Sequence, residues 1–169
     1  MKEFKIFIGV IFCLIFVVWC ATELYRYITF NIDVTDRLKR AADANTIELA
    51  IQEMDYVISF IEKKDLTDGY TSVIYKTPDE DVGFWYNNLK ASLLELKKVE
   101  PATTQLEKSN ILMKLRETLV DHEKDGVNVT MPTGISLFPY NVIFGIWGII
   151  NIILLIVAII LFTSAYNEW

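Results

Sequence analysis

The sequence predicts an all-α membrane protein: two transmembrane helices flanking an antiparallel three-helix bundle with an extended strap. Three observations carry this reading. Ile6–Ala21 and Val142–Phe162 are long apolar stretches, one near each end, and neither holds a charged residue. Between them lies a charged segment with three runs of helical hydrophobic periodicity. A stretch bearing Gly126, Pro132 and Gly134 separates the last of these runs from the second apolar stretch.

A bilayer core takes about 20 apolar residues in helical form. Val142–Phe162 meets that length, with Asn151 its only strongly polar side chain. Ile6–Ala21 is shorter, and Phe4, Thr22, Leu24 and Tyr25 extend it. Lys2 and Lys5 ahead of an apolar run also open a secretory signal. The run ends Val18-Trp19-Cys20-Ala21-Thr22. The bulky Trp19 spoils the small-residue pattern of a cleavage site and of a lipoprotein cysteine, so an uncleaved anchor is expected. Cys13 and Cys20, the only cysteines, fall in this span and read as small apolar fillers. Palmitoylation of Cys20 is the sharper alternative. The segment between the spans therefore has no disulfide and no thiolate metal site.

The predicted organisation is an anchor over residues 1–21, a helical-bundle domain over 22–137, and a second transmembrane helix with a short tail over 138–169. Two spans place both termini on one side. Lys2 and Lys5 argue for cytoplasmic termini, whereas Arg26, Arg37, Lys39 and Arg40 follow the first span and argue the reverse. Long domains translocate largely regardless of charge. The expectation is a plasma or inner membrane protein with cytoplasmic termini and an extracytoplasmic domain. Trp19, Tyr25, Tyr140, Tyr166 and Trp169 suit interfacial belts. Asn128-Val129-Thr130 is a glycosylation sequon, relevant only in a eukaryotic source.

The charge of the chain is −6, and residues 22–137 account for it with 14 Lys and Arg against 20 Asp and Glu. An acidic segment with interspersed signs is an ordinary solvated helix surface and argues against nucleic acid as a partner. The first periodic run spans Val34 to Lys64, with Asp33 as its N-cap and Ile47, Ala50, Met54, Val57 and Ile61 on one face. The second opens on the capping box Thr77-Pro78-Asp79-Glu80. Its stripe is Val82, Tyr86, Leu89, Leu93 and Leu96, ending near Lys97-Lys98. The third runs from Ala102 to Lys124 through Leu112, Leu115, Leu119 and His122, with Gly126 as its stop. Matching stripes bury one another best as a bundle. The third helix would end about 34 Å from its start. Asp125–Leu137, fully extended, reaches about 43–47 Å and so can return as a strap. Thr71–Tyr75 has strand composition, and Val127–Met131 is its expected partner.

Few residues point to chemistry. Asp79-Glu80-Asp81 lacks the glycine placement of a calcium loop and reads as first-turn acids favoured by the helix dipole. His122 is the only histidine, too few for a zinc site or a triad. No phosphate-binding glycine loop, HExxH, GxSxG or CxxC occurs. No cofactor, metal or catalytic residue is expected, and the chain reads as a non-enzyme. The candidate interaction residues are Phe84, Trp85 and Tyr86, because three adjacent aromatics on a helix cannot share one core face. Gly145, Gly148 and Asn151 are the candidates for helix–helix packing in the membrane. The expected partners are the lipid bilayer and another membrane protein, or a second copy.

The favoured function is an accessory or scaffold subunit whose domain docks on a membrane complex. The order span, helical domain, span resembles the extracytoplasmic part of bacterial helical-bundle receptors. That resemblance implies a sensor or ligand-binding module passing signals to a partner through its spans. A pore former ranks lower, because neither span has an amphipathic face.

Overall fold

The structure, a computed structural model, describes residues 2–72, 76–123, 126–135 and 142–167. In chain order the elements are α1 (Lys2–Phe30), a π turn (Asn31–Thr35), α2 (Asp36–Ala42), α3 (Ile47–Lys63), a 3-10 turn (Pro78–Glu80), α4 (Val82–Lys97), α5 (Gln105–Leu119), β1 (Val120–Glu123), β2 (Gly126–Val129) and α6 (Val142–Tyr166). The described residues are thus mostly helical with few strands. They form two compact units: Met1–Arg26 with Asn141–Trp169, and Tyr27–Tyr140. Tyr140 and Trp169, expected at interfaces, lie outside the described residues.

In the first unit, α1 and α6 are long and apolar enough to cross a membrane by length and composition. Their apolar windows have mean hydropathies of 2.6 and 2.8. Only 6% and 17% of those windows is buried. Phe7, Leu14 and Val18 on α1 and Ile149, Ile156 and Ile160 on α6 all point outward.

The second unit is built on α2 and α3. Val34, Leu38 and Ala41 on one side and Ala50, Met54, Val57 and Ile61 on the other are completely buried. Here the structure corrects the single helix expected from Val34 to Lys64. A straight helix of that length cannot bury its own stripe, whereas two that fold back can. The break falls at Asp43-Ala44-Asn45-Thr46, rich in residues that favour caps. Thr46 is the true N-cap, its hydroxyl accepting from the Leu49 amide at 3.3 Å. Asp33 is no cap. It sits in the π turn and accepts from the Tyr56 hydroxyl at 2.7 Å. At the edge of this seam the buried Glu53 carboxylate bridges Arg37 at 3.0 Å and Arg40 at 2.6 Å.

Two further starts differ from expectation. Thr77 and Glu80 do form a reciprocal pair, with the Glu80 carboxylate accepting from the Thr77 hydroxyl at 2.8 Å. That pair closes only the 3-10 turn. The cap of α4 is Asp81, which accepts from the Phe84 amide at 2.9 Å. α5 begins at a second capping box, Thr104 with Glu107.

The largest correction is at the end of the third helix, expected to reach Lys124. α5 stops at Leu119, and Val120–Glu123 turns into a strand paired antiparallel with Gly126–Val129. His122 therefore stands in β1, opposite Val127. Gly126, expected as a helix stop, opens β2 with φ +140°, a conformation that favours glycine. Val127 pairs with β1 rather than with Thr71–Tyr75, of which residues 73–75 lie outside the described residues. Closing a short loop to a neighbouring segment costs less entropy than closing one of some fifty residues. Val120 and Val129 face each other across the pair and both join the core.

From Thr130 to Ile135 the chain is non-helical and tied down. Its Thr130 amide donates to the Leu119 carbonyl at 2.9 Å, and its Thr133 amide to the Asp79 carbonyl at 3.1 Å. The Thr71 hydroxyl donates to the Thr133 carbonyl at 2.6 Å. Met131 and Ile135 pack against the core.

These caps give a direct test. Asp81→Ala should destabilise the purified chain by about 1 kcal/mol in denaturant unfolding followed by circular dichroism. Thr77→Ala should cost under about 0.5 kcal/mol, as expected of an exposed surface residue. The reverse order of effects would return the cap to Thr77.

Candidate functional site

The aromatic run of α4 is placed by the Asp81 cap at its start. Successive residues of a helix turn by about 100°, so Phe84, Trp85 and Tyr86 fan out over more than half the circumference. Trp85 is 6% exposed, and its indole donates to the Thr130 carbonyl at 3.1 Å, clasping the strap. Tyr86 is 8% exposed, and its hydroxyl donates to Glu62 Oε1 at 2.6 Å, joining α4 to the end of α3. Phe84 is 65% exposed and shares the outer face of α4 with Asn87, Asn88 and Ala91. Two of the three candidates thus serve the core, and Phe84 alone is available to a partner.

Lys90 completes a polar cluster beside Tyr86. Its ammonium donates to the Tyr86 oxygen at 3.0 Å and lies 3.5 Å from Glu62. The hydrogen bond from Tyr86 holds the Glu62 carboxyl below its ordinary value, with the Lys90 charge acting in the same direction. The same hydroxyl contact raises Lys90. Among the described residues no three His, Cys, Asp or Glu side chains gather to hold a metal ion.

The second candidate site is the seam of the first unit. Lys5 Nζ donates to Ser164 Oγ at 3.0 Å, a Cβ on Gly9 would come within 2.8 Å of the Phe162 ring, and one on Gly148 would stand 3.2 Å from Trp19. Residues early in α1 meet residues late in α6, so the two helices run antiparallel. Both write this face in alternating steps of three and four. On α6 it runs Gly148, Asn151, Leu155, Ala158, Phe162 and Ala165; on α1 it runs Lys5, Gly9, Phe12, Phe16 and Trp19. Gly148, Asn151, Ala158 and Ala165 are buried. Small residues at a helix seam let backbones approach closely. Gly145 stands off this face, exposed, and a Cβ there would meet nothing within 4 Å.

Sequence reasoning missed Gly9, Ala158 and Ala165. The signal was present in the seven-residue spacing of Asn151, Ala158 and Ala165, which uniform hydropathy conceals. Asn151 is fully buried, and its amide nitrogen donates to the Trp147 carbonyl of its own helix at 2.8 Å.

Two measurements check this geometry. Phe84→Ala should leave stability within about 0.5 kcal/mol, whereas Trp85→Ala should cost about 3–5 kcal/mol. The Glu62 bond also predicts a pH dependence. A depressed folded pKa gives stability that is present above the ordinary carboxylate value of 4.5 and lost as pH falls through the folded value. Unfolding midpoints taken from about pH 6 to about pH 3 should therefore fall more steeply for the native chain than for Tyr86→Phe. Comparison with known proteins finds no matching family model, no matching curated protein and no matching solved structure.

Proposed function

We propose that this chain is a non-enzymatic integral membrane protein, an accessory or scaffold subunit whose helical second unit docks on a larger membrane complex. The observation that carries the membrane part is the exposure of α1 and α6. A helix with mean hydropathy near 2.6 or 2.8 would be the buried core of a water-soluble protein, yet these windows are 6% and 17% buried. Apolar surface on this scale is covered by lipid or by another protein. In a bilayer every backbone polar group must be satisfied internally, which continuous helices do.

Docking is supported by Phe84, a large aromatic side chain 65% exposed on α4. Exposed aromatics of this kind anchor interfaces. The proposed placement is a plasma or inner membrane with cytoplasmic termini, supported by Lys2 and Lys5 ahead of α1. The bilayer and another membrane protein are the proposed partners.

Alkaline extraction of native membranes, then mild-detergent purification with mass spectrometry, tests both parts. The chain should stay with the membrane pellet and bring down a fixed partner set. Phe84→Ala should abolish recovery of that set while helicity stays intact. A chain released by alkali would overturn the membrane reading. A chain that remains inserted but recovers only copies of itself would overturn the accessory reading in favour of a self-contained sensor.

A further inference from the structure

Two polar atoms in the seam of the first unit are buried without a partner: the indole nitrogen of Trp19 and the amide oxygen of Asn151. One is purely a donor and the other purely an acceptor. The identity of the Asn151 orphan is fixed by chemistry. Its nitrogen must face the Trp147 carbonyl, because an oxygen there would meet another acceptor. Each such group left unpaired in an apolar site costs about as much as a lost hydrogen bond.

Both orphans lie near Gly148, although they are not hydrogen-bonded to one another in the structure. Helical side chains lean toward the N-terminus of their own helix. In an antiparallel pair they therefore lean past one another. Asn151 leans back to the level of Trp147 and Gly148, where it makes its own hydrogen bond. The Trp19 ring lies at that same level, its Cζ2 and Cε2 atoms 3.2 and 3.8 Å from where a Gly148 Cβ would stand. Cε2 is bonded to the indole nitrogen. Gly148 is thus the notch that admits the indole beside Asn151, one helical turn away.

We propose that Trp19 and Asn151 are the two halves of a polar latch between α1 and α6, closed by a hydrogen bond from Trp19 Nε1 to Asn151 Oδ1. The latch rests on the membrane reading above, since in hydrocarbon no water competes for either group. Its consequence is register. The seam already carries the Lys5–Ser164 hydrogen bond near one end and the close fit of Phe162 over Gly9, and the latch adds a second polar constraint beside Gly148. Sliding one helix by a turn would separate this donor from this acceptor, and a single buried asparagine is known to set register in this way.

The test uses the full chain in phospholipid nanodiscs with nitrogen-15-labelled tryptophan. The chain has four tryptophans, so four indole signals are expected, and Trp19→Phe assigns one of them. In Asn151→Leu the Trp19 indole proton should move upfield and lose its protection from solvent exchange. The Trp85 signal, bonded to Thr130, should stay in place and report an intact second unit. In a double-mutant cycle of unfolding, Trp19→Phe and Asn151→Leu together should fall short of multiplicative effects by about threefold. Should Asn151→Leu fail to insert, Asn151→Ala supplies the same readouts. An inserted chain with an unmoved Trp19 signal and independent effects overturns the latch alone. A chain that does not enter the bilayer overturns the membrane reading and the latch with it.

Discussion

The seam between α2 and α3 is the constraint on which the rest of the second unit depends. Six side chains there, from Leu38 to Ile61, are fully buried together with Val34 of the preceding π turn, and neither helix could bury them alone. The break at Asp43–Thr46 exists because folding back brings the two stripes together. Once α3 is fixed, its outer edge presents Glu62 to Tyr86 and so places α4. α4 in turn presents the Trp85 indole to the strap. Leu115 and Leu119 of α5 close the core from the other side, while the first turns of α5 remain largely exposed.

Much of this was legible in the sequence where periodicity was strong. The stripes of α3 and α4 could be read position by position, because alternating steps of three and four are visible against a polar background. Their starts were less legible. Thr77-Pro78-Asp79-Glu80 carries every sequence mark of a helix cap, yet it closes a separate 3-10 turn one residue before Asp81 takes the role. The end of α5 departs from the sequence expectation for a different reason. Leu119 and His122 continue a helical stripe, but β-branched Val120 and the valines after Gly126 suit a pleated pair, and pairing prevailed over local propensity.

In the candidate sites, legibility followed chemical contrast. Three adjacent aromatics announced that they must diverge, but nothing local told which of them the core would take. That depended on Glu62 and Thr130, distant in sequence. In the apolar helices Gly148 and Asn151 stood out by type, whereas Ala158 and Ala165 vanished into a uniformly hydrophobic run. Gly145 stood out equally and lies off the seam. The difference is rotational, and a sequence window of constant hydropathy carries no phase.

The fastening of the strap bears on how this unit assembles over time. Thr71 and Thr133 are joined across 62 residues, and Trp85 and Thr130 across 45. The α4–α5 and β1–β2 neighbours, by contrast, meet through short connections. Contacts that close long loops form slowly, because the entropy of closure precedes any reward. The surfaces that receive the strap also have to exist first: the carbonyl of Asp79, the hydroxyl of Thr71 and the indole of Trp85. Loop-closure entropy thus favours an order in which the strap docks late, as a seal over helices already in place.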